Sequence, residues 1–112
     1  MAILTNNKSQ YAEEVLDKFN LTKYFDIIIG FNEVTEVKPS PEGIQIILDK
    51  WKMKPSEAIF IGDMTTDVEA GKSADVMMIC VASGLAQKET LREHKPDKLV
   101  NDTNELIQLF GI

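Results

Sequence analysis

Short apolar runs alternate along the chain with longer segments in which apolar residues recur every three or four positions. Each run is bounded by polar residues, glycine or proline, a pattern that favours buried β-strands. The runs are too short to be whole helices of ordinary length. We predict strands at residues 2–5, 26–30, 58–62, 76–81 and 98–100.

The segments between these runs have the period of amphipathic helices. The second helix has apolar residues at i, i+3, i+4 and i+7, namely Ile44, Ile47, Leu48 and Trp51. Ser40 is a suitable N-cap for it and Pro41 a suitable first helical residue.

Other helices are predicted at residues 8–19, 66–74 and 87–94. A last helix follows Asp102, which is a suitable N-cap, and Glu105 lies at capping-box spacing. We expect the first and last helices to bury one apolar face each. The residues concerned are Tyr11, Val15, Leu16 and Phe19 in the first, and Leu106, Ile107 and Phe110 in the last.

Strands that are apolar on both faces and alternate with helices are typical of a parallel sheet covered on both sides. We therefore predict a single α/β domain over residues 1–112, built as a three-layer α/β/α sandwich. Ligands in such folds bind at the carboxyl ends of the strands. The polar residues at those ends are Thr5, Asn6 and Asn7, the loop 31–38, residues 63–67, Ser83, Gly84, Asn101 and Asp102.

Composition narrows the classes of function. The chain has 112 residues, with 12 Lys and Arg against 18 Asp and Glu, and a net charge of −6. An acidic chain without a basic block disfavours nucleic acid as a partner. One cysteine and one histidine exclude an internal disulfide and paired-His or Cys-cluster metal sites. No apolar run approaches the ~18 residues that a membrane span needs, so we expect a soluble, cytoplasmic protein without a membrane partner.

Two carboxylates, Asp63 and Asp67, lie four positions apart where a predicted strand passes into a helix. Their oxygens suit Mg²⁺, which keeps several waters and often shares a substrate phosphate. The same residues could instead cap the turn and the helix. Residue type and spacing leave both interpretations open.

Three further residues could hold a phosphate group. Thr5 and Asn6 offer a hydroxyl and backbone N–H groups ahead of a helix, an arrangement that binds anions. Taken alone, ordinary capping by Thr, Asn or Ser9 accounts for these residues more readily. Lys38 precedes Pro39, which restrains it to an extended conformation. This lysine could supply a fixed positive charge or be an ordinary solvated loop residue.

Taken in order, three segments resemble motifs of the haloacid dehalogenase superfamily of phosphatases, in its phosphoglycolate phosphatase and pyrophosphatase-like branch. They are residues 2–7, residues 37–41 and residues 59–67. The resemblance implies a Rossmann-like core and Mg²⁺ as cofactor. It implies that Thr5 and Asn6 bind the phosphoryl group, that the catalytic Lys38 neutralises charge, and that Asp63 and Asp67 hold or orient the metal.

The chain departs from this family in one respect. Family members begin with a strand that ends in Asp-x-Asp, whose first aspartate forms an aspartyl-phosphate, and a cap domain follows it. No Asp-x-Asp occurs in these 112 residues. Asp26 begins its strand, and Asp102 lies at the periphery of the sheet, so neither is a credible substitute nucleophile.

We therefore expect the carboxyl-terminal part of a phosphatase for a small phosphorylated metabolite, inactive when isolated. The alternative is a non-catalytic module of the same fold that binds a metal, a phosphate or a partner chain. In the resembled fold the absent strand is central, between the strands that end at Thr5 and Asp63. We expect those strands to pair directly, to self-associate through their free edges, or to pair with a separate amino-terminal fragment.

Overall fold

The computed structural model describes residues 1–84 and 86–111. Within these residues five strands alternate with five α-helices, as the apolar runs predict. In chain order they are β1 (Ala2–Leu4), α1 (Ser9–Lys18), β2 (Ile27–Ile29), α2 (Glu42–Trp51), β3 (Ile59–Gly62), α3 (Thr65–Ser73), β4 (Met77–Val81), α4 (Lys88–Glu93), β5 (Lys98–Val100) and α5 (Thr103–Leu109).

All strand pairs are parallel, which confirms the predicted α/β architecture. β1 pairs with β2, and β4 pairs with β3 on one side and β5 on the other. No described residue of β1 pairs with β3. The sheet is therefore divided in two, and the expectation that these two strands would pair directly is wrong.

The core lies between the three-stranded sheet and helices α2, α3 and α4. Phe60 of β3 packs against both of its clusters. The cluster under α2 and the end of α3 contains Ile44, Leu48, Ala70, Ala74 and Val76. The cluster under the start of α3 and α4 contains Val68, Met78, Cys80 and Leu91.

Helices α1 and α5 bury less than their sequences predict. Only Leu16 of the predicted apolar face of α1 is buried, and no residue of α5 is buried. α1 packs on β2, at the outer edge of a two-stranded sheet, and α5 packs on the edge strand β5. A helix buries only the area that its sheet offers, so their remaining apolar residues stay exposed or half-exposed.

Two predicted helix starts differ in detail. α2 begins at Glu42, and the Ser40 hydroxyl accepts a hydrogen bond from the Glu42 N–H at 3.2 Å. The Asp102 carboxylate caps α5 by accepting from the Glu105 N–H at 2.9 Å. The Glu105 carboxylate accepts from the Asn101 N–H instead of the predicted Asp102 N–H. None of the described helices has the length and apolar character needed to cross a membrane.

Candidate active site

The turn after β3 is organised by the carboxylate of Asp67. Its Oδ2 accepts hydrogen bonds from the backbone N–H groups of Asp63 at 3.0 Å and Met64 at 3.1 Å. These donors precede α3, where unpaired N–H groups favour a negative charge. Gly62 permits the close approach, because a Cβ there would lie 2.4 Å from the Cβ of Asp67. The capping role of Asp67 is therefore present in the structure.

Lys38 contacts both halves of the divided sheet. Its Nζ lies 2.6 Å from Oδ1 of Asp67 and 3.5 Å from the carbonyl oxygen of Leu4, and it sits 5.8 Å from the ring centroid of Phe60. The side chains of Lys38 and Asp67 are only 12% and 7% exposed. This lysine is therefore a fixed charge and not a solvated loop residue.

The loop that carries Lys38 is restrained from the start of α2. The two carboxylate oxygens of Glu42 accept hydrogen bonds from the backbone N–H groups of Thr35 at 2.6 Å and Glu36 at 3.2 Å. A charged acceptor strengthens such bonds. Sequence reasoning did not identify Glu42, because its partners lie six and seven positions away in an irregular loop.

Asp63 is an exposed residue that directly follows the carboxyl end of β3. The loop after β4 lies close to it, since a Cβ on Gly84 would be 2.3 Å from its Oδ2. A side chain on Gly84 would therefore displace the Asp63 carboxylate. Sequence position alone placed Gly84 at a strand end, without indicating that it faces this carboxylate.

Thr5 and Asn6 lie at the carboxyl end of β1, in a loop that is held from several sides. The Thr5 Oγ1 accepts a hydrogen bond from the Asn7 N–H at 3.1 Å. The Asn7 carbonyl accepts from the Phe31 N–H at 2.9 Å, which ties this loop to the one after β2. Thr5 is half-buried and Asn6 is exposed. The Thr5 hydroxyl retains its own proton to donate to a ligand.

The carboxyl ends of β1 and β3 meet at Lys38, as the predicted parallel sheet requires. The lysine reaches Leu4 at the end of β1 and Asp67, whose carboxylate binds the backbone of Asp63 just after β3. Of the other predicted strand-end residues, Asn101 and Asp102 follow the edge strand β5. Asp102 caps α5 by accepting from the Glu105 N–H, and the Asn101 N–H donates to the Glu105 carboxylate.

The donor set determines which metal ion could bind here. In the described ranges no group of three or more His, Cys, Asp or Glu side chains could hold a metal ion. Mg²⁺ does not require such a group, because it keeps several waters and binds proteins through one or two carboxylates. The exposed carboxylate of Asp63 fits that role, whereas both oxygens of Asp67 already have partners. The residues present therefore fit a water-rich Mg²⁺ site centred on Asp63.

Cys80 lies inside the sheet, where its surroundings raise the pKa of its thiol. It is completely buried in β4, and burial raises the pKa of its thiol to about 11, with smaller contributions from the charges of Asp67 and Asp63. A thiol in this state is protonated at neutral pH and is a poor nucleophile.

Comparison with known proteins shows which family this sequence resembles. A family model described as haloacid dehalogenase-like hydrolase matches residues 1–81. The phosphoglycolate phosphatase of Salmonella choleraesuis is 26% identical over 112 residues, which cover 100% of this chain and 44% of that protein. The phosphoglycolate phosphatase of Vibrio parahaemolyticus is 28% identical over 112 residues, 49% of its length.

Solved structures of the same family also superpose on this chain. A Bacteroides fragilis protein assigned as a haloacid dehalogenase-like hydrolase superposes with a TM-score of 0.89 at 30% identity. The match covers 95% of this chain and 50% of that one. The chain therefore spans about half the length of the relatives that it matches.

Proposed function

Because this chain belongs to the haloacid dehalogenase-like hydrolase family, we propose that it is the carboxyl-terminal part of a Mg²⁺-dependent phosphatase. Its substrate would be a small phosphomonoester, consistent with relatives that are named phosphoglycolate phosphatases. The observation that carries the proposal is the nearly buried Lys38–Asp67 pair at the meeting point of two strand ends. The nucleophile would come from a segment outside these 112 residues.

The proposed role of Lys38 follows from how it is held. Phosphoryl transfer depends mainly on in-line positioning and on compensation of negative charge. The ammonium group is fixed by Asp67 on one side and by the Leu4 carbonyl on the other. A charge that is already fixed stabilises a phosphate without having to reorganise during the reaction. Asp67 is then a positioning residue for the lysine.

Thr5 and Asn6 would contact the phosphate oxygens. The Thr5 oxygen already accepts from the Asn7 N–H, so its hydroxyl proton is the group left to donate. The exposed Asn6, two residues before the N-cap Lys8 of α1, would offer its backbone N–H to the phosphate. These two residues and Lys38 would bind the phosphate from the β1 side of the divided sheet.

Asp63 would hold the Mg²⁺, and Asp67 would orient the backbone of the turn beside it. When bound, the ion would neutralise negative charge on the phosphate oxygens. Gly84 leaves the space that the Asp63 carboxylate occupies. Every metal contact of this chain is therefore assigned to one exposed carboxylate and the surrounding water.

Two other aspartates do not supply the nucleophile. The Asp26 N–H donates to the Met1 carbonyl at 2.9 Å, so Asp26 lies at the amino end of the strands. The carboxylate of Asp102 caps α5 beside the edge strand. Neither aspartate lies at the carboxyl ends of β1 and β3, where Lys38 is held, which supports a nucleophile from another segment.

A titration with inorganic phosphate in the presence of Mg²⁺ tests this proposal. NMR shifts are expected at Thr5, Asn6 and the Lys38 ammonium, and Lys38→Met should abolish them. Lys72→Met is the matched control, because Lys72 is exposed and donates to the His94 carbonyl away from the site. Shifts that spread over surface lysines and persist in Lys38→Met would refute the proposal.

A further inference from the structure

Helix α1 begins without a cap from its own residues. Its N-cap is Lys8, whose side chain makes no capping hydrogen bond. The first N–H groups of a helix have no partner within the helix, and Ser, Thr, Asp or Asn at the N-cap ordinarily provides one. The acceptor for the Ser9 N–H, the first of α1, must therefore come from elsewhere in the fold.

Asn32, in the loop after β2, supplies that acceptor from 23 positions away. Its Oδ1 accepts from the Ser9 N–H at 3.1 Å, and its Nδ2 donates to the Ser9 hydroxyl oxygen at 3.4 Å. Ser9 is buried, although Asn32 is exposed. Because a buried N–H without an acceptor is costly, this contact fixes the start of α1 relative to the loop after β2.

The same segment also contacts the β1 loop (residues 5–8), which joins β1 to α1. The Phe31 N–H donates to the Asn7 carbonyl at 2.9 Å. Gly30 lets the two backbones approach, because a Cβ there would lie 2.3 Å from the Ser9 nitrogen and 2.7 Å from the Asn7 carbonyl oxygen. The end of the β1 loop is therefore held by three consecutive residues that follow β2.

The β1 loop is held at its start as well. The Thr5 N–H donates to the Ile29 carbonyl at 2.9 Å, and the Thr5 Oγ1 accepts from the Asn7 N–H at 3.1 Å. The exposed Asn6 lies between the two fixed ends. A loop that is ordered before its ligand arrives loses little conformational entropy on binding. The contacts that order this loop therefore bear on its affinity for a ligand.

We propose that Asn32 is a positioning residue for phosphate, acting through the β1 loop and not by contact with the ligand. By capping α1 it fixes the end of this loop and so orients the Thr5 hydroxyl and the Asn6 N–H. The inference rests on the proposed function, since it assumes that those two groups bind the phosphate. Lys38 is at the far end of the loop 31–38, so one segment would set both sides of the phosphate site.

The alternative is that Asn32 only caps α1. A cap of that kind would stabilise the helix and leave the phosphate affinity of the folded chain unchanged. Two measurements on the folded chain separate the two roles. One is the rate of amide hydrogen exchange in the β1 loop without phosphate, and the other is the dissociation constant for inorganic phosphate in the presence of Mg²⁺.

Asn32→Leu removes both hydrogen bonds at nearly constant side-chain size, and the variant should fold because Asn32 is exposed. Amide exchange should accelerate at Asn7 and Phe31 as well as at Ser9. The phosphate dissociation constant should rise about fivefold, the effect of one typical hydrogen bond. Asn104→Leu is the matched control, exposed on α5 beside the edge strand β5, and should change neither quantity.

Asn32→Asp is the conservative variant that tests for rescue. A carboxylate oxygen can accept from the Ser9 N–H, so amide exchange at Asn7 and Phe31 should stay as slow as in the wild type. At about 0.5 M salt, which screens the added charge, Asn32→Asp should also bind phosphate more tightly than Asn32→Leu.

Three results would overturn the proposal. One is faster exchange confined to Ser9, which would make Asn32 a cap for α1 alone. Another is an unchanged phosphate dissociation constant in Asn32→Leu despite faster exchange at Asn7. The third is phosphate binding in Asn32→Asp that is no tighter than in Asn32→Leu. An absence of phosphate binding in the wild type would instead refute the proposed function and with it the phosphate role of Asn32, whereas exchange at Asn7 would still show whether Asn32 holds the loop.

Discussion

The Nζ of Lys38 lies 2.6 Å from Oδ1 of Asp67, although 29 positions separate the two residues in the sequence. Both side chains are nearly buried, and the remaining oxygen of Asp67 accepts two backbone hydrogen bonds from the turn after β3. The pair therefore connects the loop before α2 to the start of α3, between the two halves of the divided sheet.

Asp67→Asn is expected to destabilise the fold more than Lys38→Met. Asp67→Asn leaves the lysine buried without its counter-charge, and breaking a buried pair in this way costs about 3–5 kcal/mol. Lys38→Met leaves the carboxylate with its two N–H donors. Urea unfolding measures both, and the double variant should lose less than the sum of the single losses. Additive losses would show that the two charges do not stabilise each other.

Weak Mg²⁺ binding is expected at Asp63, because this chain supplies only one carboxylate that is open to solvent at the site. NMR shifts on Mg²⁺ titration should centre on Asp63 and Asp67 and disappear in Asp63→Asn. Asp75→Asn is the matched control, an exposed aspartate at φ 60°, a conformation that asparagine tolerates. Shifts that survive Asp63→Asn would mean that the two aspartates only cap the turn.

Gly84→Ala should weaken the same Mg²⁺ binding without removing a charge. The added Cβ would lie 2.3 Å from Oδ2 of Asp63, so the carboxylate has to move. The Mg²⁺ dissociation constant of this variant should exceed that of the wild type. An unchanged constant would place the metal away from the Oδ2 position.

Cys80 should resist alkylation by iodoacetamide at pH 8 in the folded chain and react on unfolding in urea. Its thiol is buried, and its pKa is raised from 9.0 to about 11. Between these values the unfolded chain loses the thiol proton while the folded chain keeps it, so stability falls as pH rises from 9 to 11. Cys80→Ala should show a smaller fall in the urea midpoint over that range. A fall of equal size would assign the pH effect to other groups.

The strands were predictable because each apolar run carries a local signal, including β3, where Ile59 and Ile61 remain exposed. β5 has the predicted bounds, and the other four begin and end within one residue of theirs. The apolar faces of α1 and α5 carry the same kind of signal, yet Phe19 and Phe110 are exposed. Periodicity shows which face of a helix is apolar, but the area of sheet beneath it depends on the order of the strands.

The residues of the candidate site were likewise predictable only where they are close in sequence. Asp63 and Asp67 lie in one turn, so their spacing indicated the site directly. The partner of Lys38 and the closeness of Gly84 to Asp63 arise from chain segments that meet only after folding. The family resemblance implied where a strand is absent, between β1 and β3, but the expectation that these two strands could pair directly was wrong, and they remain unpaired with each other.

Hydrolysis of p-nitrophenyl phosphate by the isolated chain with Mg²⁺ tests the central claim most directly, namely that this chain carries part of a phosphatase site without its nucleophile. Covalent phosphoryl transfer cannot begin without that group, so we predict no turnover in the wild type and no difference from Asp63→Asn. Turnover that is lost in Asp63→Asn but retained in Asp75→Asn would show that a nucleophile lies within these 112 residues, and would contradict the account.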